Sequence, residues 1–228
     1  MSLFHHHPVT CPHCATEVDF EINFSVNADR RPDYRLAILD GSFQVRDCPA
    51  CNKAFRLEPE LAYLDAGRQQ WILVKPAREL DQWEDLERMA EVIFEANFGP
   101  GAPGAARDLG ATLDVRVTFG WPALREKIVC RELGIDETAL ELLKLALIRG
   151  DEAPPVSDSL ELRLVDRVGD TLRMGWMNAE TGEIVEGLEL PTAALAAYQP
   201  VPDAWADLAS QITAGPFRDL QRMMVDPA

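Results

Sequence analysis

Two short cysteine pairs constrain the fold of this chain more than any other feature of its sequence. Cys11 pairs with Cys14 and Cys48 with Cys51, and a proline directly follows the first cysteine of each pair. A two-residue spacer lets both thiolates of a pair face one ion, and two such pairs complete a tetrahedral four-thiolate site. The sequence therefore predicts one structural zinc ion (Zn2+) per chain, bound by all four cysteines, with no open coordination position.

Two other uses of the cysteine pairs stay open on the sequence alone. A Cys-x-x-Cys pair also serves thiol redox chemistry, although such a motif normally occurs once per domain at a helix N-terminus. Four thiolates also hold iron, because the ligand type does not distinguish iron from zinc. The chain has five cysteines and no recognisable secretion signal at residues 1–11. That combination favours metal over disulfides and predicts a cytoplasmic protein.

The remaining residues of metal-ligand type are assigned no site. His13 lies inside the first pair, but four thiolates already complete the site, so we expect it at the surface. His5, His6 and His7 are consistent with a purification remnant and are left out of the fold prediction. Cys130 falls in a predicted helix, in a part of the chain that has no histidine to act as its base, so we expect a buried and unreactive side chain.

The first part of the chain, residues 1–98, is predicted to be a zinc-ribbon-like antiparallel β domain with a trailing helix. Residues 17–27 alternate apolar and polar side chains as a strand does, and a glycine ends the helix that follows. The predicted elements are a strand at 17–27, a helix at 33–40, strands at 42–47, 53–65 and 68–75, and an amphipathic helix at 79–98.

A run of glycine and proline at residues 99–104 is the strongest break in the chain, and we predict a linker over 99–110. The second part, residues 111–228, is predicted to be an α+β domain, so the fold class of the whole chain is α+β. Its predicted elements are a strand at 112–119, helices at 122–133 and 136–149, a β-meander at 159–190 and short C-terminal helices.

The composition agrees with a globular protein, since 47% of the residues are hydrophobic and 26% are charged. No stretch approaches the roughly 18 apolar residues of a membrane span. The five tryptophans are spread over separate elements, and we expect most of them to anchor the core. They are Trp71, Trp83, Trp121, Trp176 and Trp205.

The residues around the cysteine pairs resemble a known bacterial family. The segment LAILDGSFQVRDCPACNKAFRLE at 36–58 and the strand WILVKP at 71–76, together with the first C-P-H-C, are similar to the CpXC domain. The resemblance covers residues 9–135 and includes the helix in FGWPALREKIV at 119–129. It implies a metal-binding β domain, with the matching cysteines at positions 11, 14, 48 and 51, and it implies no activity.

No catalytic residues are predicted, because the chain lacks the nucleophile-elbow, phosphate-loop, dinucleotide and zinc-protease motifs. Two acidic pairs lie one helical turn apart, Asp81 with Asp85 and Glu137 with Glu141. We interpret both as solvated helix faces, and Arg125-Glu126-Lys127 as a surface cluster of salt bridges.

The net charge of −16 repels phosphate backbones, so an association with nucleic acid is disfavoured. The function that the sequence favours is a zinc-stabilised interaction or adaptor protein whose partner is another protein of unspecified identity. A thiol-redox or other enzyme that uses the cysteine pairs is the alternative, and a nucleic-acid-associated ribbon is the second alternative. The oligomeric state is not predicted.

Overall fold

A computed structural model describes residues 3–150, 160–179 and 181–225 of the chain. Runs of one to four consecutive strands are separated by helices, and short 3-10 turns occur at Ala77–Gln82 and in the last third of the chain. The strands are β1 Leu3–Thr10, β2 Glu17–Asn27, β3 Val45–Asp47, β4 Ala54–Arg56, β5 Leu61–Asp65, β6 Gln70–Lys75, β7 Asp114–Phe119, β8 Leu160–Val168, β9 Thr171–Asn178 and β10 Ile184–Pro191. The helices are α1 Pro32–Asp40, α2 Trp83–Phe98, α3 Gly104–Gly110, α4 Gly120–Leu133, α5 Glu137–Ile148 and α6 Ala206–Ile212.

The largest sheet has five strands in the order β1-β2-β5-β6-β7. Two of its pairings are antiparallel, β1 with β2 and β5 with β6, whereas β2–β5 and β6–β7 are parallel. The α+β class is therefore confirmed, but the sheet is mixed rather than antiparallel as predicted. The reason is that each parallel pair is joined by a long crossover that carries helices, α1 in one case and α2 and α3 in the other.

The segment predicted as a linker lies inside the second of these crossovers. Its second half forms helix α3, and β7 beyond it pairs with β6 from Gln70 to Lys75. Strands from both sides of the segment therefore share one sheet. The division of the chain into domains at 1–98 and 111–228 remains a prediction.

Local sequence signals agree with many of the element boundaries. β2 has the predicted bounds, and α1 ends at Gly41, which adopts the left-handed φ of 83° that favours glycine at a helix end. Asp136 caps α5 by accepting a hydrogen bond of 2.8 Å from the Ala139 N–H. β8, β9 and β10 form the predicted antiparallel meander.

Two strand predictions are corrected. β4 pairs with β3 as a separate two-stranded hairpin instead of continuing into β5, because Pro59 lies between them and has no N–H to donate to a ladder. β1 includes His5, His6 and His7 and pairs with β2 along its length, so these histidines belong to the fold from which the prediction excluded them.

Helices cover both faces of the large sheet. α1 and α4 pack on one face through Ile38 and Leu124, and α2 packs on the other through Trp83 and Leu86. The meander packs against α4 and α5. Four of the tryptophans are buried as predicted, and Trp205 is half-buried. Among the described residues, no helix combines the length and apolarity that crossing a bilayer requires.

Candidate metal centre

The first cysteine pair forms the turn of the β1–β2 hairpin. Thr10 is the last residue of β1 and pairs with Glu17, the first of β2, so residues 11–16 make the whole connection. The Cys11 N–H donates to Thr16 O at 2.9 Å, and the Ala15 N–H donates to Cys11 O at 2.9 Å. Ala15 has a φ of 59°, the left-handed conformation that closes this tight turn.

The second cysteine pair forms the turn of the β3–β4 hairpin with the same geometry. The Cys48 N–H donates to Lys53 O at 3.0 Å, and the Asn52 N–H donates to Cys48 O at 2.8 Å. Asn52 has a φ of 54°, a conformation that asparagine adopts more readily than most residues. Two hairpin turns of matching backbone conformation therefore present one cysteine pair each.

The structure brings the four predicted cysteines together. Their Sγ atoms all lie within 4.8 Å of one another, with Cys11 and Cys51 at 3.9 Å and Cys14 and Cys48 at 3.6 Å. A metal–sulfur bond of about 2.3 Å in a regular tetrahedron separates its sulfur atoms by about 3.8 Å. The donor set and its spacing therefore fit a four-thiolate metal site.

One side of the cluster faces the interior and the other faces solvent. Cys11 and Cys48 are buried against Phe20 and Phe55, whose ring centroids are 5.7 Å apart. Cys14 is exposed and Cys51 is half-buried. The apolar floor gives the two hairpins a small core of their own, which the sulfur cluster completes.

The thiols of this cluster differ in acidity. Hydrogen bonding from the Thr16 side chain and backbone lowers the pKa of Cys14 to about 6. For Cys51, the backbone at Lys53 favours the thiolate, but burial and hydrogen bonds with the other three thiols outweigh it and raise the pKa to about 11. A cation bound between the four sulfur atoms would favour the thiolate at every position.

His13 is exposed, as predicted, and its ring lies outside the sulfur cluster. Its Nε2 is 3.1 Å from Ala54 O, the first residue of β4. His13 therefore links the first hairpin turn to the second hairpin. Its backbone N–H also donates to Cys11 Sγ at 3.4 Å, which supplies one of the amide–sulfur bonds that stabilise a thiolate.

Cys130 lies outside this cluster, in a different apolar core. It is 1% exposed and packs in the core between α4, α5 and the meander. Burial raises the pKa of its thiol well above the ordinary value. The predicted buried, unreactive cysteine is confirmed in its burial.

A network of charged side chains, which the sequence analysis did not predict, lies buried between α4, α5, β8 and the C-terminal segment. Lys144 is at its centre and donates to Glu126 Oε2 at 3.0 Å and to Glu141 Oε1 at 2.8 Å. Arg163 donates to Glu126 Oε2 at 2.9 Å and contacts Asp219. The side chains of all five are at most 4% exposed.

The network continues toward the start of α5. Lys127 Nζ donates to Arg218 O at 2.5 Å and lies 3.3 Å from Glu137 and 3.5 Å from Glu141. Arg116 donates to Glu137 Oε2 at 2.9 Å. Burial opposes ionisation of Glu137, but Lys127 and Arg116 outweigh it and lower its pKa to about 2.

Two surface predictions are therefore wrong. Glu137 and Glu141 do not form a solvated helix face, and Glu126 and Lys127 are buried rather than in surface salt bridges, whereas Arg125 is half-buried. The physical reason is that the meander and the C-terminal segment cover α4 and α5, which leaves the charges to pair with one another. The density of leucine in ETALELLKLALI is the signal that could have indicated a buried α5. Asp81 and Asp85 are exposed, as predicted.

Three carboxylates of this network, from Glu126, Glu141 and Asp219, also lie within 4.8 Å of one another. The Lys144 ammonium already donates to two of them. That ammonium supplies the positive charge between the carboxylates, so we assign no metal ion to this cluster.

Comparison with known proteins identifies one family. The model described as CpXC protein matches residues 9–144, which is more than half of the 228-residue chain. No curated protein and no solved structure matches the chain. The matched range contains both cysteine pairs and runs through the predicted linker into α5.

Proposed function

Because the chain belongs to the CpXC protein family, we propose that Cys11, Cys14, Cys48 and Cys51 bind one structural zinc ion. The observation that carries the proposal is the pair of sulfur–sulfur distances, 3.6 and 3.9 Å. They lie on either side of the roughly 3.8 Å edge of a zinc–thiolate tetrahedron. Both of these sulfur pairs join one hairpin turn to the other, as a shared ion requires.

The zinc-ribbon-like character of this part of the chain belongs to the same proposal. In a zinc ribbon, two turns of a β structure each supply two cysteines to one ion. The matching turns at residues 11–16 and 48–53 are arranged in this way. Since iron accepts the same four ligands, the choice of zinc depends on metal analysis rather than on geometry.

The proposed ion stabilises structure and leaves no position for a substrate. Four thiolates complete its coordination, so no site remains on the metal for water activation or ligand exchange. Binding in sites of this kind contributes on the order of 10 kcal/mol to folding. Three buried apolar side chains, Val18, Phe20 and Phe55, pack against the cysteines, and they make up too small an apolar core to hold the two hairpin turns together without the ion.

From this closed site we infer a role in interaction rather than catalysis, with the protein acting as a cytoplasmic adaptor that binds another protein. The net charge of −16 supports a protein partner over nucleic acid. Exposed apolar side chains support a binding role as well, since Val92 on α2 is 68% exposed and Val185 on β10 is 65% exposed.

The test begins with metal analysis of the full chain, purified without added metal. We expect about one zinc per chain in the wild type and in Cys130→Ser, and a loss of zinc in Cys48→Ser. Cys130→Ser is the matched control because it removes the one cysteine outside the cluster. A measured content of one iron per chain would correct the identity of the proposed ion but not its ligands. A metal-free wild type with disulfides at these positions would refute the proposal.

The adaptor role needs a separate experiment. A partner recovered from the native host should bind the purified wild type and Cys130→Ser directly, and should bind Cys48→Ser less tightly. Equal binding by all three would separate the interaction from the metal centre, and would leave the ion with a structural role only.

A further inference from the structure

A cavity of about 350 Å³ lies between the second cysteine hairpin, the end of α1, the start of α4 and the β9–β10 connection. Its walls are about equally polar and apolar, and the apolar part includes Phe55, Trp121 and Met177. Two arginines, Arg56 from β4 and Arg125 from α4, also line it. Small-ligand sites usually combine such apolar walls with a few charged groups, in volumes from about 300 Å³ upward.

The two half-buried arginines lack the carboxylate partners that the buried arginines of the fold have. Arg35, Arg116 and Arg163 each form ion pairs with at least two carboxylates. In the described part of the chain, neither Arg56 nor Arg125 forms an ion pair, although each, like Arg35 and Arg163, has a buried nitrogen without a hydrogen-bond partner. These nitrogens are Nη2 of Arg56 and Nε of Arg125.

The position of Arg56 is fixed from two sides. Its Nε donates to Phe43 O at 3.0 Å, and its guanidinium carbon lies 4.1 Å from the centroid of the Trp121 ring. Trp121 is itself fixed, because its Nε1 donates to Leu57 O at 2.8 Å. The guanidinium is therefore held in one orientation, and its Nη2 is buried without a hydrogen-bond partner.

The charge at this site is unbalanced. Burial and the charge of Arg125 outweigh the opposite effect of Asp40 and lower the pKa of Arg56 to about 10, so the two guanidinium charges repel each other. Asp40 is the carboxylate on the cavity rim, but its Oδ1 accepts hydrogen bonds from the Ser42 N–H at 2.8 Å and the Ser42 hydroxyl at 2.6 Å. The first turn of α4 adds the positive end of a 14-residue helix to the same cavity.

We propose that Arg56 and Arg125 bind the oxyanion group, phosphate or carboxylate, of a small organic ligand in this cavity. Guanidinium groups match the planar geometry of both oxyanions. An oxyanion would accept charged hydrogen bonds from the two guanidinium groups and offset the repulsion between them. The Trp121 ring and its apolar neighbours would contact the rest of the ligand.

The experiment is a calorimetric titration of the full chain with inorganic phosphate, phenyl phosphate and benzoate, each at ionic strength matched with sodium chloride. We expect saturable binding, with phenyl phosphate tighter than inorganic phosphate because its ring contacts the apolar wall. Arg56→Gln and Arg125→Gln should each weaken binding about tenfold or more, the effect of losing one charged hydrogen bond. Asp40→Asn should tighten binding, because it removes a negative charge and keeps the acceptor for Ser42.

Arg46→Gln is the matched control, because Arg46 is exposed on the neighbouring strand β3 and does not line the cavity. If Arg56→Gln lowers thermal stability, Arg125→Gln still tests the site without removing the Phe43 contact. Preference for phenyl phosphate or for benzoate identifies the oxyanion and supports the proposal in either case. Absence of binding by all three anions, or equal binding by the wild type and both cavity variants, would overturn it.

Discussion

Lys144 offers the sharpest test of the buried charged network. Its ammonium donates to Glu126 and Glu141 at 3.0 and 2.8 Å, and the three side chains are at most 2% exposed. Lys144→Met keeps much of the side-chain volume and removes only the ammonium. The two carboxylates would then face each other across a site that solvent does not reach.

The expected loss is large for a single substitution. Removing one partner of a buried ion pair typically costs about 3–5 kcal/mol, because a buried charge is left uncompensated. Glu126 also accepts a hydrogen bond from Arg163 at 2.9 Å, so we expect a value near the lower end of that range. In a chain of this size, that corresponds to a fall in Tm of roughly 6–12 °C.

The loss should depend on pH. In the wild type, burial opposes ionisation of Glu126, but Lys144 and Arg163 outweigh it and hold its pKa below the usual value. The stability from that shift is present above the unfolded pKa and is lost as the pH falls. In Lys144→Met we expect the folded pKa of Glu126 to rise above the unfolded value, and that of Glu141, which burial already raises in the wild type, to rise further, so protonation restores stability at low pH. The difference in the free energy of unfolding between variant and wild type should therefore be smaller at about pH 5 than at about pH 8.

The assay is urea unfolding at both pH values, followed by tryptophan fluorescence, with Arg88→Met as the control. Arg88 pairs with Asp85 on the solvent side of α2, and such exposed pairs contribute only about 0–1 kcal/mol. The double variant Lys144→Met with Glu141→Gln should recover part of the loss, because it removes one of the facing charges. A cost below about 1 kcal/mol, or a cost that does not shrink on acidification, would refute the reasoning.

Three further predictions concern other parts of the fold. Glu87→Ala should lower the free energy of unfolding in urea by about 1–3 kcal/mol, because Glu87 accepts hydrogen bonds from the Phe217 N–H at 2.7 Å and from Arg222 at 2.8 Å. An unchanged urea midpoint would contradict this prediction. Cys130 should resist alkylation in the native protein and react on unfolding, as mass spectrometry of the labelled peptide can show; rapid native labelling would contradict its burial. Removal of the proposed metal by a chelator should speed hydrogen exchange at 11–20 and 48–55 and leave β6 and β7 protected, because the apolar core around the cysteines is separate from the cores that contain β6 and β7. Loss of protection in β6 would mean that the ion supports the whole sheet.

Local patterns in the sequence predict local structure well here. The alternation at 17–27, the cap at Asp136 and the glycine at 41 each act within a few residues, and each is found where it was expected. The four cysteines are also a local signal, since each pair needs only one hairpin turn, and the structure places their sulfur atoms together. Which ion binds there is a proposal, because the same four thiolates accept zinc or iron.

What the sequence did not predict depends on distant contacts. The parallel pairing of β6 with β7 joins strands that are separated by two helices, and no local pattern carries that information. The same is true of Glu126. Its local sequence predicts a surface residue, but it is buried because β8 and the C-terminal segment cover α4. Its charge is compensated there by partners from other elements, Lys144 on α5 and Arg163 on β8.

The C-terminal segment has a consequence for the order in which this protein can be made. Phe217 fills the space between Trp83 and Phe119, with ring centroids 5.8 and 4.9 Å away, and Asp219 completes the charge balance around Arg163. Both residues follow, in the chain, every element that they contact here. During synthesis α2, β7 and β8 therefore leave the ribosome before Phe217 and Asp219 can pack against them, and these contacts form later than the elements that they cover.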